Sequence, residues 1–322
     1  MSEMNKNNLK GVTINDFFAR FGYLSKEELI SFIKKGLRYG YIYTHSGNEF
    51  HADEVFSIAL LEIYRNKLNK EANKEIYPPF KVIRSRNISK SNKILKLDVD
   101  NSVLDHHFPK NEAAFRENGI QYATAGILWY ILGNELVEER FVQTIDSQIF
   151  EPLDACDNGM NGIISQYSDM VATFVPNWNE NHLILEEQMK KAIDFAITIL
   201  ERKISEFNAI DLAKISVEKS YKASLDKRII LLSKAMNWQE VLVPTEALFV
   251  IWKNDNKWSC QAVPTEIGSF QLKKGFHSNW RGLRNEVLKE QSGLDLEFCH
   301  STGFYLVANT KEAAIEACKK SL

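Results

Sequence analysis

Apolar residues at Leu29, Ile30, Phe32, Ile33 and Leu37, with Ser25 and Glu28 ahead of them in capping-box spacing, predict an amphipathic helix near the N-terminus. The pattern then changes period. Tyr41-Ile42-Tyr43-Thr44 has the β-branched and aromatic bias of a short buried strand, and Val55 to Leu61 is apolar on too many faces for a surface helix. Between them a polar loop holds His45, Glu49, His51, Asp53 and Glu54, where a strand ends and a helix begins, the usual place of an α/β site. Phe80 to Ile83 and Ile94 to Leu97 predict two more strands, separated by a Ser/Asn/Lys-rich loop from Ser85 to Lys93. Strands alternating with helices imply a parallel sheet. Ala123 to Gly133 then predicts a buried helix, and Leu136 to Ile145 an amphipathic one.

After a loop-rich stretch at 165–180, amphipathic patterns from Glu186 to about Phe207 and from Asp211 to Ala235 predict a helical connector. Leu248 to Trp252 and Trp258 to Val263 flank an Asn/Asp loop and predict a β-hairpin. Arg281 to Gln291 predicts a short helix, Glu297 to Ala308 a second hairpin and Lys311 to Lys319 a closing helix. The fold class is therefore α/β, a parallel-sheet domain with a second, smaller mixed α+β domain. The expected boundaries are a helical extension at 1–38, the parallel-sheet domain at 39–185, the connector at 186–238 and the C-terminal domain at 239–322.

Composition adds few constraints. A chain of 322 residues, 44% hydrophobic and 25% charged, is ordinary for a globular protein of two domains. With 40 basic and 42 acidic residues it has no global field to attract nucleic acid, so any such binding needs a local patch. Cys156, Cys260, Cys299 and Cys318 form no CxxC pair, which argues against a zinc ribbon or a dense disulfide framework and fits a reducing cytoplasm. No apolar run approaches the roughly 18 residues of a membrane span, and Glu3 and Asp16 argue against a transit peptide. The expectation is a soluble cytoplasmic protein with no membrane partner.

Chemistry concentrates in three clusters. His45, His51 and Asp53 share the first loop; Asp98 ends a predicted strand shortly before Asp105-His106-His107; and Asp154 to Gly159 puts an Asn-Gly turn after carboxylates. Alone, Asp98 reads as a helix cap or turn former. Four of the seven histidines fall in two short stretches beside aspartates at strand ends, which is how ligands for manganese, zinc or iron would be supplied. Cys156 reads as a packed small residue, since no histidine base is evident outside these clusters.

The stretches THSGNEFHADEV, VIRSRN, LDVD, DHHF, TAGILWY, DACDNGMNG, PNWNE and NWRGLR resemble the melanocyte-proliferating-gene (MYG) family, within the DHH phosphoesterase superfamily, from about Ile42 to the C-terminus. The resemblance implies a DHH-type catalytic domain with two divalent ions, manganese first among zinc, iron and magnesium. His45 and His51 would bind one ion and Asp53, His106 and Asp157 the other. Asp98 would bridge the two, His107 would face the phosphate, and Asp105 and Asp154 would orient the imidazoles or tune the site. Asp98, Asp53 and His107 would thus carry the chemistry. The chain departs from the family pattern in Asp100, where a glycine is expected, in Asn87 for an aspartate, and in Leu306-Val307-Ala308 for a glycine-rich turn after His300-Ser301-Thr302-Gly303-Phe304.

Two ions about 3.5–4 Å apart lower the pKa of a shared water, so hydrolysis needs no protein nucleophile. Lys273, Lys274, Arg281, Arg284 and Lys289, interleaved with His277 and Trp280, read either as a solvated face or as a grip on a single-stranded end, with Trp280 stacking a base and Arg281, Arg284 and His300 holding substrate. The resulting expectation is a metal-dependent phosphodiester hydrolase, a 3′-to-5′ exonuclease on RNA or a short oligonucleotide. A small-molecule phosphatase or pyrophosphatase and a binding protein that lost turnover are the rivals. Oligomeric state is left open, a dimer included.

Overall fold

Residues 11–85, 91, 94–160 and 162–322 are described by a computed structural model. Most of the expected Ser85–Lys93 loop, Asn87 included, and the first ten residues of the expected N-terminal extension lie outside them. The chain divides into two compact units, Met1–Ser205 and Glu206–Leu322.

In the first unit two helices precede the sheet, one more than the sequence pattern suggests. Helix α1 (Ile14–Ala19) starts where the Thr13 side chain accepts from the Asp16 N–H, and buries Phe17 and Phe18. Helix α2 (Lys26–Leu37) starts at Ser25 with both halves of the capping box in place, as the Ser-x-x-Glu spacing predicts. Strand β1 (Tyr41–Thr44) is central and pairs in parallel with β2 (Lys81–Arg84) and β3 (Leu95–Lys96); Ile42 is in register with both Val82 and Leu95. Parallel neighbours need a crossover, supplied between β1 and β2 by α3 (Ala52–Glu71), which is buried over most of its first fourteen residues. Helix α4 (Thr124–Leu136) packs along α3, and α5 (Glu139–Ile145) leads through a π-helical turn at Asp146–Phe150 into α6 (Glu151–Asp157) and then α7 (Gln166–Ala172). Trp129 of α4 stacks on Phe150 of the π turn at 4.7 Å between ring centroids.

Helix α8 (Leu185–Ala223) is continuous across the boundary between the units. The second amphipathic helix expected as far as Ala235 is corrected: the chain turns at Ser224–Arg228 and Ile229–Leu232 forms a strand, β4. A four-residue apolar run has the same look in a buried helical turn and in a buried strand, and parallel pairing with β5 (Phe249–Asn254) decides the case. After α9 (Gln239–Leu242), β5 forms the expected hairpin with β6 (Lys257–Ala262), and beyond α10 (Asn285–Ser292), β7 (Leu296–Cys299) pairs with β8 (Tyr305–Ala308). The mixed sheet runs β4-β5-β6-β8-β7, with α11 (Lys311–Lys320) packed on it. Among the described residues, no helix is long and apolar enough to cross a membrane.

Candidate metal centre

The C-terminal edge of the parallel sheet meets the start of α3 at the polar loop. His51 is the N-cap residue of α3 and makes no side-chain cap, so its ring is left free; Asp53 and Glu54 sit in the first turn, where the helix dipole favours carboxylates. Asp53 is buried, and its Oδ1 accepts from the Ala125 N–H at 2.6 Å, a donor that the first turn of α4 cannot satisfy within the helix. Asp53 Oδ2 is buried with no hydrogen-bond partner. The next N–H, Gly126, donates to Asp154 Oδ1 at 3.1 Å, and a Cβ on Gly126 would lie 2.0 Å from Asp154 Oδ2, so only glycine lets the helix approach this carboxylate.

Asp98 follows β3 at φ +58°, the left-handed region that asparagine and aspartate tolerate better than other side chains. Asp100 and Asn101 are left-handed too, at φ +65° and +46°. The glycine expected at position 100 would therefore suit this turn, and an aspartate can stand in its place. The turn is tied back by Asp105, whose Oδ2 accepts from the Asn101 N–H at 2.8 Å and whose Oδ1 accepts from the His107 N–H at 3.0 Å.

This turn delivers His106 and His107 to Asp98. His106 Nε2 lies 3.0 Å from Asp98 Oδ1 and 3.1 Å from Asp157 Oδ2, yet Asp98 Oδ1 and both ring nitrogens of His106 lack an aligned hydrogen bond. His107 Nδ1 lies 3.0 Å from Asp98 Oδ1 and 3.0 Å from Asp105 Oδ1, with 62% of its side chain exposed. Two overlapping sets result, Asp98-His106-His107 and Asp53-His106-Asp157, each with ligand atoms within 4.8 Å of one another. His45 joins from the other side: its Nε2 is 4.0 Å from Asp98 Oδ2, and its ring centroid is 5.5 Å from that of the exposed His51. A cavity of about 240 Å³ lined by Phe50, His51, Asp53, Leu153, Cys156 and Asp157 opens beside these groups.

The electrostatics call for positive charge. Burial opposes charge on His106, but the carboxylates of Asp157 and Asp98 outweigh it and raise the imidazole pKa to about 11. His107 is raised to about 10 by Asp105 and Asp98. Burial would raise the Asp98 pKa, and the two imidazoles instead hold it far below the usual carboxylate range. Asp53 is pushed well up by burial and by the charges of Asp157 and Asp98. Close-set carboxylates and imidazoles, orphaned buried oxygens and nitrogens, and an open face at His107 together form a donor set that fits divalent cations.

Sequence patterns did not point to the support behind this set. Arg116, with its side chain buried, donates from Nε and Nη2 to Asp154 Oδ2 at 3.0 and 2.6 Å, and also pairs with Asp146 of the π turn. Asp154 therefore touches Arg116 and the Gly126 N–H. Its partner lies 38 residues away in sequence, and no local motif marks such a pair.

In the second unit the expected basic stretch splits. Lys273 Nζ donates to the carbonyls of Leu242, Thr245 and Ala247, and Lys289 pairs with Glu286 and Asp295, so both are used internally. Lys274, Arg281 and Arg284 are exposed. Arg281 donates to the Phe276 carbonyl and lies against Gly303, where a Cβ would come within 2.6 Å of its Nε; Arg284 lies over the Phe298 ring. His300 Nδ1 is 3.0 Å from Thr302 Oγ1. Trp280, in contrast, is only 3% exposed in a core with Phe249, Phe276 and Leu288, so the base-stacking role is corrected: no face of the indole is available to a base. Leu306-Val307-Ala308 forms part of strand β8, with Leu306 and Ala308 in that core.

Comparison with known proteins gives relatives along almost the whole chain. A MYG1 protein of Schizosaccharomyces pombe is 25% identical over 87% of this chain and 97% of its own length, and a MYG1 exonuclease of Mus musculus is 24% identical over 87% and 84%. Among solved structures, RecJ of Thermus thermophilus in complex with Mg2+ overlaps 92% of this chain at 11% identity with a TM-score of 0.26, and the chain spans about half the length of that one (51%). The family model MYG1_exonuc, described as an uncharacterised protein family (UPF0160), matches residues 41–322, and the chain belongs to that family.

Proposed function

We propose that this protein is a metal-dependent phosphodiester hydrolase, a 3′-to-5′ exonuclease that acts on RNA or short single-stranded oligonucleotides at a centre of two divalent ions, manganese first among the candidates. The observation that carries the reading is the convergence of Asp53, Asp98, His106, His107 and Asp157 on one spot with buried donor atoms left unpaired. His45 and His51 would hold one ion, Asp53, His106 and Asp157 the other, and Asp98 both. Bound there, such ions acidify a water and stabilise charge on phosphoryl oxygens.

The chain's own groups do the rest. Asp53 offers a single free oxygen because the Ala125 N–H fixes the other. His107 is anchored through Nδ1 between Asp98 and Asp105, which leaves the exposed side of its ring to meet a phosphate. The cavity beside Asp53 and Asp157 has room for the end of a substrate. Arg281, Arg284 and His300 of the second unit supply a cationic, hydrogen-bonding surface suited to a phosphate backbone. The exonuclease name of the mammalian relatives supports the same reading.

The test is a ten-nucleotide RNA labelled at either end, incubated with manganese and then with excess EDTA. Stepwise loss from the 3′ end that EDTA stops is expected. RNA turnover unchanged in EDTA would reject the reading, and hydrolysis confined to small phosphate esters would put the small-molecule phosphatase ahead.

A further inference from the structure

Glu54 is a fully buried carboxylate beside the metal centre. Its Oε2 accepts from Thr44 Oγ1 at 2.5 Å and lies 3.2 Å from His45 Nε2; its Oε1 has no hydrogen-bond partner, and neither does His45 Nε2. The nearest cationic group, Arg84 Nη2, is 4.0 Å from Oε1, and that nitrogen already donates to the Glu49 carbonyl. A buried carboxylate beside a buried imidazole nitrogen, each with an unpaired atom, is costly unless something positive lies against both. Ligands of one cation at about 2.0–2.2 Å sit roughly 3 Å apart, which matches the gap between Glu54 Oε2 and His45 Nε2.

The charge balance leads to the same place. Of the two cation positions, the one assigned to His45 and His51 has only Asp98 as an anionic ligand, and Asp98 is shared with the other. Neutral imidazoles suit zinc, whereas manganese and magnesium favour carboxylate oxygen.

We propose that Glu54 is a ligand of the first cation, joining His45, His51 and Asp98 and biasing that position towards oxygen-preferring ions such as manganese or magnesium over zinc. The inference rests on the two-ion reading above. The Thr44 hydroxyl occupies one lone pair of Oε2 and so sets the direction of the other, and the placement of Glu54 in the first turn of α3 keeps the carboxylate rigid.

The experiment is calorimetric titration of the metal-free full chain with manganese and with zinc, for the natural sequence, Glu54→Gln and Glu54→Asp, together with thermal melting of each metal-free protein. The natural chain should bind two manganese ions. Glu54→Gln should keep one site within about 2-fold and weaken the other by at least about 10-fold, with a smaller loss for zinc there, while the metal-free variant melts no lower than the natural chain. Glu54→Asp, which retracts the carboxylate by one methylene, should also weaken only that site. Two unaltered sites in both variants would overturn the inference and leave the two-ion reading standing. Loss of both sites with a lowered metal-free melting point would overturn it in favour of a purely structural carboxylate. Failure of the natural chain to bind a pair of ions would overturn the reading itself, and the inference with it.

Discussion

The two units handle buried polarity in opposite ways. Among the described residues, every charged residue that is buried as a whole belongs to the first unit: Asp53, Glu54, Arg65, Asp98, Asp105, His106, Asp146 and Asp154. The buried polar residues of the second unit are Ser259, Ser292 and Ser321, and its core is otherwise apolar around Phe249, Phe276, Trp280 and Leu296. Burying charge costs stability unless it is paired, so a fold keeps it only where something offsets the loss. Arg116 offsets part of it at Asp146 and Asp154. Around His106 the imidazoles are outnumbered by carboxylates, and bound cations would supply the difference. The second unit is conventional inside and, among the described residues, carries its charge outside.

The sharpest contrast comes from one substitution in each unit. Trp280→Ala should destabilise the second unit by about 3–5 kcal/mol, because a large buried ring leaves a cavity, and denaturant unfolding would show it. A loss of RNA affinity with unchanged stability would restore the stacking role. Asp98→Asn should act mainly on activity: turnover of RNA falls by at least about 100-fold, the upper end of the loss seen when groups behind a metal ligand are removed, while the metal-free chain stays folded and loses only the pairing of this carboxylate with His106 and His107. Asparagine tolerates the left-handed backbone at that position, so the turn itself is kept. Near-normal rates with two ions bound would show that Asp98 does not bridge them.

What the sequence revealed depended on how local each signal was. The Ser25 capping box, the Tyr41–Thr44 strand and both hairpins of the second unit are written in short-range periodicity, and each is present. The histidines and aspartates of the centre were legible as residue types at strand ends, because that is where α/β folds place their loops. The Arg116 network, the burial of Trp280 and the β4 strand were not. Each is settled by packing between segments far apart in sequence: Arg116 with Asp146 and Asp154, Trp280 in a core built from several strands, and Ile229–Leu232 by its pairing with β5. Glu54 was visible as an ionisable residue, but only its depth and its unpaired oxygen separate it from a helix-capping glutamate.

Smaller effects refine the contrast. The metal-free first unit should lose stability as pH rises, because His106 and His107 have folded pKa values of about 11 and about 10 against about 6.5 when unfolded. Their contribution is complete below the unfolded value and is lost as pH climbs through the folded ones. Cations must displace these protons, so manganese affinity should increase with pH between about 6 and 8, and the melting point of the loaded protein should show a weaker slope. A metal-free melting point that is flat, or rises, from about pH 6.5 to 10 would contradict the clustered charges. Arg281→Ala with Arg284→Ala should reduce the salt dependence of RNA binding, by a log–log slope of about 1 for each phosphate no longer neutralised, while turnover of a small diester is retained. Asp100→Gly is the mildest change. Relief of the left-handed strain and removal of the ion pair with Lys96 offset one another, leaving stability within about 1 kcal/mol and metal binding unaltered.

The central claim is that the buried charge of the first unit is a cradle for two cations, and anomalous diffraction at the manganese edge from crystals grown with the metal tests it most directly. Two peaks are predicted, one among Asp53, His106 and Asp157 and one among His45, His51 and Glu54, with Asp98 reaching both. An empty cradle at saturating manganese, with His106 still wedged between the Asp98 and Asp157 carboxylates, would contradict it.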